Sequence, residues 1–247
     1  MDLSAYLKRI DYYGPLAPTA ETLRALHQAH MLAVPFENLD IHLGRPILLD
    51  EAAFFDKIVT HRRGGFCYEL NGLFAALLRQ LGFDMTLLSA RVIEDGQPGP
   101  EFDHLILLVQ LEERWLADVG FGDSFCDPLR LDEPGEQPQD RRTYRLIQNG
   151  DEWEMQERGK GVWTDGYRFT LRPRQLADFA AMCHYQQTSP ESHFTQKRIC
   201  SRATPNGRIT LSDMRLIVTT NGDRQERLLV SEEEYAAVLR EDFGIVL

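Results

Sequence analysis

Apolar positions in the first third of the chain recur with the period of an α-helix. The clearest stripe has spacings of three and four residues and consists of Leu70, Leu73, Phe74, Leu77, Leu78 and Leu81. Such a stripe is typical of a helix that buries one face, and Gly82 follows where the end of a helix favours glycine. We therefore predict a helix over residues 67–81 with Cys67 at its N-terminus, and an earlier helix capped by Thr19.

Beyond Gly82 the pattern changes to short strands. The β-like stretches are 85–92, 104–111, 115–119, 208–211 and 215–219. Asn149-Gly150 lies between two further β-like stretches and predicts a hairpin, and a capping box at Ser231 predicts a final helix. The order of helices, then antiparallel strands, then a small mixed piece predicts an α+β fold.

The length and the net charge of the chain indicate a globular protein and exclude several classes of binding partner. The chain has 247 residues, of which 43% are hydrophobic, so it can bury a sizeable core and exceeds the commonest length of one domain. A net charge of -11 argues against binding to nucleic acid or to an anionic membrane, because both need a basic surface. The N-terminus lacks an apolar signal segment, and the longest aliphatic stretch is too short to span a bilayer. With four scattered cysteines and no C-x-x-C pair, we expect reduced thiols and a cytoplasmic location.

Cys67 is the cysteine whose surroundings indicate chemistry. It follows two arginines, two glycines and a phenylalanine in residues 62–66 and begins the strongest predicted helix. The free N–H groups and partial positive charge of a helix N-terminus stabilise a thiolate, and glycines let a substrate approach closely. From these residues alone, a reactive thiol and a buried structural cysteine remain about equally good interpretations.

A thiol nucleophile needs a base and a group that orients the base. His104 begins an apolar strand, and Asp118 lies in another apolar strand, where a buried carboxylate needs a partner. If the two strands form a hairpin with a two-residue turn at Glu112-Glu113, His104 and Asp118 lie on opposite faces. A loop of odd length or a bulge puts them on one face, so a triad requires such a turn. Taken singly, a strand cap and a turn hydrogen bond are the simpler interpretations.

Several blocks of the sequence closely resemble those of the arylamine N-acetyltransferases. The blocks are VPFENL at 34–39, RRGGFCYELNG at 62–72, Asp103-His104, DVGFG at 118–122 and TSPESHF at 188–194. They occur in the order of that family. The resemblance implies a cysteine-protease-like catalytic core: an N-terminal helical bundle over 1–83, a central antiparallel β-barrel over 84–186 and a C-terminal α/β lid over 187–247.

The resemblance also implies a reaction. Cys67 is expected as the acetylated nucleophile, His104 as the base and Asp118 as the residue that orients the imidazole, with a thiolate–imidazolium pair at rest. Acetyl-CoA is then the co-substrate, no cofactor is bound permanently, and arylamines, hydrazines or arylhydroxylamines accept the acetyl group in a ping-pong reaction of xenobiotic metabolism. Backbone N–H groups of Tyr68 or of Val119-Gly120 are candidates for stabilising the oxyanion.

Further positions follow from the motifs. Four apolar residues are expected to line the acceptor pocket: Phe36, Val92, Phe121 and Phe194. For Val92, plain core packing is an equally strong interpretation. Glu37 and Arg63 are predicted to form an ion pair that holds the cysteine loop.

The phosphates of CoA need cations or N–H groups. Between residues 197 and 208 the sequence has four cations and no acid, and we expect this nucleotide side of the cleft to comprise Lys197, Arg198, Arg202 and Arg208. Gly122 would leave room for the pantetheine arm. For any one of these cations, a solvated strand edge is the simpler interpretation.

Two rival functions remain open at the level of sequence. A cysteine hydrolase, peptidase or transglutaminase-like enzyme could use the same triad, and a non-catalytic relative could bind CoA or an aromatic ligand in the cleft. A metal site is not expected, because no two histidines or cysteines have ligand spacing. The resemblance also indicates a C-terminal region shorter than that of many relatives, in which this region lies near the cleft and influences the handling of the acetyl donor. The physiological acceptor, the preferred acyl-CoA and the oligomeric state are left open.

Overall fold

The computed structural model of the chain describes residues 1–139, 141–159 and 161–247. Its first part is helical, and the helices are α1 (Leu3–Arg9), α2 (Ala20–Ala33), α3 (Leu39–His42), α4 (Glu51–Phe55) and α5 (Cys67–Gln80). The predicted cap of α2 is confirmed, since the Thr19 hydroxyl accepts a hydrogen bond from the Thr22 N–H at 3.2 Å. No helix in the described ranges is long and apolar enough to cross a membrane.

Helix α5 is the central element of the helical part. The predicted span of 67–81 is confirmed to within one residue, and Gly82 has a φ of +84° where the left-handed end was expected. The helix is buried along nearly its whole length rather than along one stripe, from Cys67 to Leu78. It therefore packs against neighbours on all sides, and residues on its first two turns cannot leave their positions without disturbing the core.

The central strands form a nearly closed antiparallel barrel. The strands are β2 (Asp84–Glu94), β3 (Gln97–Pro98), β4 (His104–Gln110), β5 (Arg114–Ala117), β6 (Leu129–Arg130), β7 (Gln137–Pro138), β8 (Thr143–Asn149), β9 (Glu152–Arg158) and β10 (Thr164–Thr170). A short strand, β1 (Phe36–Glu37), precedes them in the chain. The order β6-β5-β4-β2-β10-β9-β8-β7 leaves β6 and β7 at the ends, and the Gln137 side chain joins them by bonding the N–H and the carbonyl of Arg130. The predicted hairpin at Asn149-Gly150 is confirmed as β8–β9, with Gly150-Asp151 as its turn.

The β4–β5 hairpin has the turn that the triad requires. Leu107 pairs with Ala117 and Gln110 pairs with Arg114, so the loop contains the three residues 111–113. With this odd loop, Asp118 continues the strand opposite Ile106, on the same face of the sheet as His104. The imidazole and the carboxylate are therefore brought together by the length of a turn.

The C-terminal part combines a second sheet with helices. Its strands are β11 (Ile199–Thr204), β12 (Gly207–Ser212), β13 (Arg215–Thr220) and β14 (Asp223–Leu228), and its helices are α6 (Ala180–Thr188), α7 (His193–Gln196) and α8 (Glu232–Phe243). The predicted cap at Ser231 is confirmed, because its hydroxyl accepts from the Glu234 N–H. Strand β1 pairs with β11 and so joins the segment before Cys67 to this sheet. The division into three parts at residues 83 and 186 stays a prediction.

A buried ion cluster holds the segment that leads to Cys67. Arg63 Nη2 lies 2.8 Å from Glu37 Oε1, and Arg63 Nη1 lies 3.1 Å from Asp40 Oδ1. Lys57 Nζ contacts Asp40 at 2.8 Å and Glu69 at 2.9 Å, and Glu69 in turn accepts the Phe66 N–H at 3.1 Å. Burial, with the charge of Glu37, raises the pKa of Glu69 to about 7 against the attraction of Lys57.

We predict that Glu37→Gln lowers the free energy of unfolding by about 3 kcal/mol, because loss of one member of a buried pair leaves Arg63 buried without full compensation. Urea unfolding measures this change. The control is Glu51→Gln, which removes an ion pair with Arg79 whose side chains are 48% and 54% exposed, and which should change stability by about 0.5 kcal/mol or less. A Glu37→Gln protein as stable and as active as the wild type would contradict the assignment of Glu37 as a holding residue.

Candidate active site

Cys67 is the first residue of α5 and is 3% exposed. The loop after β5 lies directly against it: a Cβ added at Gly120 would be 2.9 Å from the Cys67 Cα and 2.7 Å from the Asn71 Nδ2. Any side chain at position 120 would push this loop away from the helix. The first glycine of the DVGFG block, Gly120, is therefore explained by the close approach of this loop to the cysteine.

His104 and Asp118 form a buried hydrogen-bonded pair. The Nε2 of His104 lies 2.8 Å from the Oδ2 of Asp118, and the two residues are 2% and 0% exposed. This contact assigns the Nε2 proton, because a carboxylate accepts. Nδ1 makes no hydrogen bond with the described residues and is thus the nitrogen available to another group.

Asp118 is held as an anion. Burial by itself raises the pKa of its carboxyl group, but the charge and hydrogen bond of His104 and the hydrogen bonds of Asn71 and of the Gly120 N–H outweigh burial and lower the pKa below its usual range. An ionised Asp118 fixes the imidazole and stabilises its protonated form.

The thiol of Cys67 has the opposite tendency. Burial raises its pKa well above the usual value, the charge of Asp103 adds to the rise, and a hydrogen bond from the Leu105 backbone opposes it. The N-terminus of α5 therefore does not by itself provide a thiolate. Leu105 directly follows His104 in β4, so the strand that carries the imidazole runs beside the thiol.

Two buried residues that the sequence analysis did not single out hold Asp118. The Asn71 side chain bonds both the Asp118 carboxylate at 2.8 Å and the Val119 N–H at 2.9 Å. The His27 Nε2 accepts the Asp118 N–H at 3.1 Å, while Nδ1 donates to the Cys126 carbonyl at 2.7 Å. Burial lowers the pKa of His27, which agrees with a neutral ring that donates once and accepts once. Asn71 could have been identified from the sequence as a residue of the site, because it lies one helical turn after Cys67. The sequence contains no comparable sign for His27, which lies in an ordinary helical stripe.

The N–H groups of Val119 and Gly120 are already bonded. Val119 donates to Asn71 and Gly120 donates to the Asp118 carboxylate at 2.9 Å, so neither is free to stabilise a substrate oxygen. This corrects one of the two expectations for the oxyanion. The Tyr68 N–H, in the first turn of α5, makes no hydrogen bond with the described residues.

The aromatic candidates fall into two groups. The rings of Phe36 and Phe194 lie 6.1 Å apart, and the Phe194 ring lies 5.8 Å from that of Phe66, the residue before α5. The ring of Phe121 lies 5.1 Å from the imidazole of His104 and 5.1 Å from Tyr167. Val92 pairs with Tyr167 across β2 and β10 and is partly buried.

Two of the four candidate cations, Arg198 and Arg202, are bonded to groups of the C-terminal part and of α2. Arg198 is bonded to both carboxylate oxygens of Glu232 at 2.8 Å and lies over the Tyr235 ring. Arg202 donates to the carbonyls of Leu32 and Asp242 at 2.7 and 2.8 Å. The structure therefore does not gather these side chains into one cationic patch.

Arg208 differs from the other cations. It is 6% exposed, its Nε lies 2.8 Å from Asp123, and its Nη1 donates to Ser201 at 2.9 Å. Its Nη2 is buried without a hydrogen-bond partner among the described residues. Arg208 borders a small cavity together with Phe36 and Gly122, whose φ is +88°. Lys197 is exposed. Within the described ranges no cluster of side chains has the composition of a metal site.

Comparison with known proteins agrees with this geometry. A protein-family model described as N-acetyltransferase matches residues 19–247. The arylamine N-acetyltransferase of Escherichia coli (strain K12) is 39% identical over 98% of this chain and 88% of its own length. The solved arylamine N-acetyltransferase structure from Salmonella typhimurium superposes with a TM-score of 0.93 at 37% identity, covering 98% of this chain and 90% of that one. The Mycobacterium marinum enzyme in complex with CoA superposes with a TM-score of 0.92 at 34% identity, over 99% and 93% of the two chains. The predicted fold is thereby confirmed, and the chain belongs to the arylamine N-acetyltransferase family.

Proposed function

We propose that this chain transfers the acetyl group of acetyl-CoA to the nitrogen of an aromatic amine, and that Cys67 carries the group between the two substrates. Membership of the family carries the proposal. The buried pair of His104 and Asp118 beside the helix that begins at Cys67 supplies its chemical basis. Hydrazines and arylhydroxylamines are further acceptors in the same proposal.

The first half of the reaction acetylates the enzyme. The Nδ1 of His104 takes the proton of the Cys67 thiol, and the sulfur attacks the carbonyl carbon of the thioester. The bond between that carbon and the CoA sulfur breaks, and the departing thiolate takes the proton from the imidazolium. Burial disfavours an isolated thiolate here, but an adjacent imidazolium compensates its charge, and Asp118 stabilises the imidazolium.

The second half returns the enzyme to its starting state. The amine nitrogen attacks the acetyl carbon, its excess proton passes to His104, and the bond to the Cys67 sulfur breaks as the sulfur is protonated again. An oxyanion forms in each half. The free N–H of Tyr68 at the start of α5 is the proposed donor, supported by the partial positive charge of the helix terminus.

The acceptor ring is proposed to lie against Phe36, Phe121 and Phe194. Flat apolar rings on either side favour an aromatic amine over a peptide or an aliphatic amine. Val92 belongs to the same proposal, although its pairing with Tyr167 also fits simple packing of the barrel wall. Membership of the arylamine N-acetyltransferase family favours acetyl transfer over hydrolysis by the same triad.

A cytoplasmic location and a role in xenobiotic metabolism belong to the same proposal. All four cysteines are free, which fits a reducing compartment. The net charge of -11 supports small molecules, rather than nucleic acid or a membrane surface, as the partners.

Intact-mass measurement after mixing with acetyl-CoA, without an acceptor, tests the proposal directly. We expect a gain of one acetyl group on the wild type, none on Cys67→Ala and a normal gain on Cys126→Ala, which removes the one partly exposed cysteine. Added anisidine should restore the original mass and yield its acetamide. A wild type that gains no acetyl group and releases no CoA when anisidine is present would exclude this function.

Arg208 is the proposed contact of the CoA side, because its buried Nη2 has no hydrogen-bond partner among the residues that the structure describes. We predict that Arg208→Gln raises the KM for acetyl-CoA about tenfold, as expected for loss of a hydrogen bond from a charged group. The control is Arg215→Gln on β13, whose side chain is 54% exposed and which should leave the KM unchanged. An unchanged KM in a folded Arg208→Gln protein would remove Arg208 from the site.

A further inference from the structure

The side chain of Asn71 touches all the backbone segments that carry the proposed triad. It lies one helical turn after Cys67 on α5 and is fully buried. Its Nδ2 donates to the Leu105 carbonyl at 2.6 Å and to the Oδ1 of Asp118 at 2.8 Å. Leu105 directly follows His104. One amide group therefore joins the helix of the thiol, the strand of the imidazole and the carboxylate.

The hydrogen bonds of Asn71 fix which way its amide points. The Oδ1 accepts the Val119 N–H at 2.9 Å, while the two hydrogens of Nδ2 face the Leu105 carbonyl and the Asp118 carboxylate. The flipped orientation would put an oxygen against two acceptors and a donor against an N–H. The amide thus has a single satisfied orientation, in which it presents a donor to the Oδ1 of Asp118.

The two oxygens of Asp118 have different partners because of this amide. Oδ1 accepts from Asn71 and from the Gly120 N–H at 2.9 Å, and Oδ2 is left for the His104 Nε2 at 2.8 Å. If the carboxylate were tilted away from this position, its bonds with Asn71 and with the Gly120 N–H would break. The position of Oδ2, and with it the direction in which His104 presents Nδ1, is therefore determined by groups outside the triad.

We propose that Asn71 is a positioning residue for the acetyl transfer: it holds the Asp118 carboxylate so that His104 is aligned with Cys67. This inference rests on the proposed function for the identity of the reaction. Asn71 does not touch the reacting atoms in this scheme and acts through Asp118. If Asn71 only linked α5 to the barrel, its replacement would lower the free energy of unfolding without changing the chemistry of the folded enzyme.

The first experiment compares Asn71→Ala with the wild type in single-turnover acetylation by acetyl-CoA, followed by intact mass. We expect the rate of acetylation to fall about 10²-fold, the loss that misalignment of a catalytic group by about 1 Å produces. The matched control is Tyr6→Phe, which removes another buried side-chain bond, that to His30 at 2.8 Å, away from the site. Tyr6→Phe should reduce the melting temperature and leave the rate within about twofold.

The pH profile of Cys67 alkylation by iodoacetamide distinguishes the two roles, because loss of a purely structural link would leave this profile unchanged. If Asp118 is no longer held, the imidazolium loses stabilisation and less thiolate exists near neutral pH. The midpoint of the profile should therefore rise by about one pH unit or more in Asn71→Ala. An unchanged midpoint together with an unchanged acetylation rate would overturn the inference.

A double-mutant cycle tests whether Asn71 acts through Asp118. Asp118→Asn removes the carboxylate, so adding Asn71→Ala to it should slow acetylation by less than about threefold beyond the single change. Independent, multiplying losses would overturn the inference. If Asn71→Ala does not fold, as judged by the absence of a cooperative thermal transition, the same three measurements apply to Asn71→Ser. A wild type that is never acetylated would instead reject the proposed function, which keeps the two failures distinct.

Discussion

The burial of the Asp118 carboxylate is the constraint on which the rest of the site depends. A carboxylate without access to water is costly unless hydrogen bonds and an opposite charge replace its hydration. Here the imidazole of His104, the amide of Asn71 and the Gly120 N–H supply that replacement. Each of them needs a particular backbone placement: an odd loop between β4 and β5, an asparagine one turn into α5, and a glycine at a close contact. The geometry of the site therefore follows from satisfying one buried charge.

Burial also acts on the charge state of the Cys67 thiol. Its burial favours the neutral form and raises its pKa, so a helix N-terminus is not enough to create a nucleophile here. Burial, however, penalises an ion pair of close partners much less than it penalises an isolated charge. A proton moved from Cys67 to His104 would create such a pair beside an ionised Asp118. A dry site can thus support a thiolate only when the base and its carboxylate are held in register with the thiol.

Much of this architecture was predictable from the sequence because local signals carry it. The stripe after Cys67 gave α5 to within one residue, and the hydroxyls of Thr19 and Ser231 marked two helix starts. Strand β14 could not be predicted, since all its residues are exposed and no alternation appears. The pairing of His104 with Asp118 could be stated only as a condition on the turn, because a change of one residue in loop length reverses the face of a strand.

The cations of residues 197–208 show why charge in a sequence is a weaker guide than periodicity. A run of cations without acids suggested one phosphate-binding surface. Two of them precede β11, and Arg202 on β11 and Arg208 on β12 lie on opposite faces of the sheet, so the four side chains meet different neighbours. Arg198 meets Glu232 of α8, and Arg202 meets backbone carbonyls of α2 and α8, contacts that only the packed fold creates. Arg208 is almost fully buried, yet its Nη2 has no hydrogen-bond partner within residues 1–139, 141–159 and 161–247. A buried guanidinium is costly without partners, and this unbonded nitrogen is the reason why Arg208, among the four cations, is the one proposed to contact CoA.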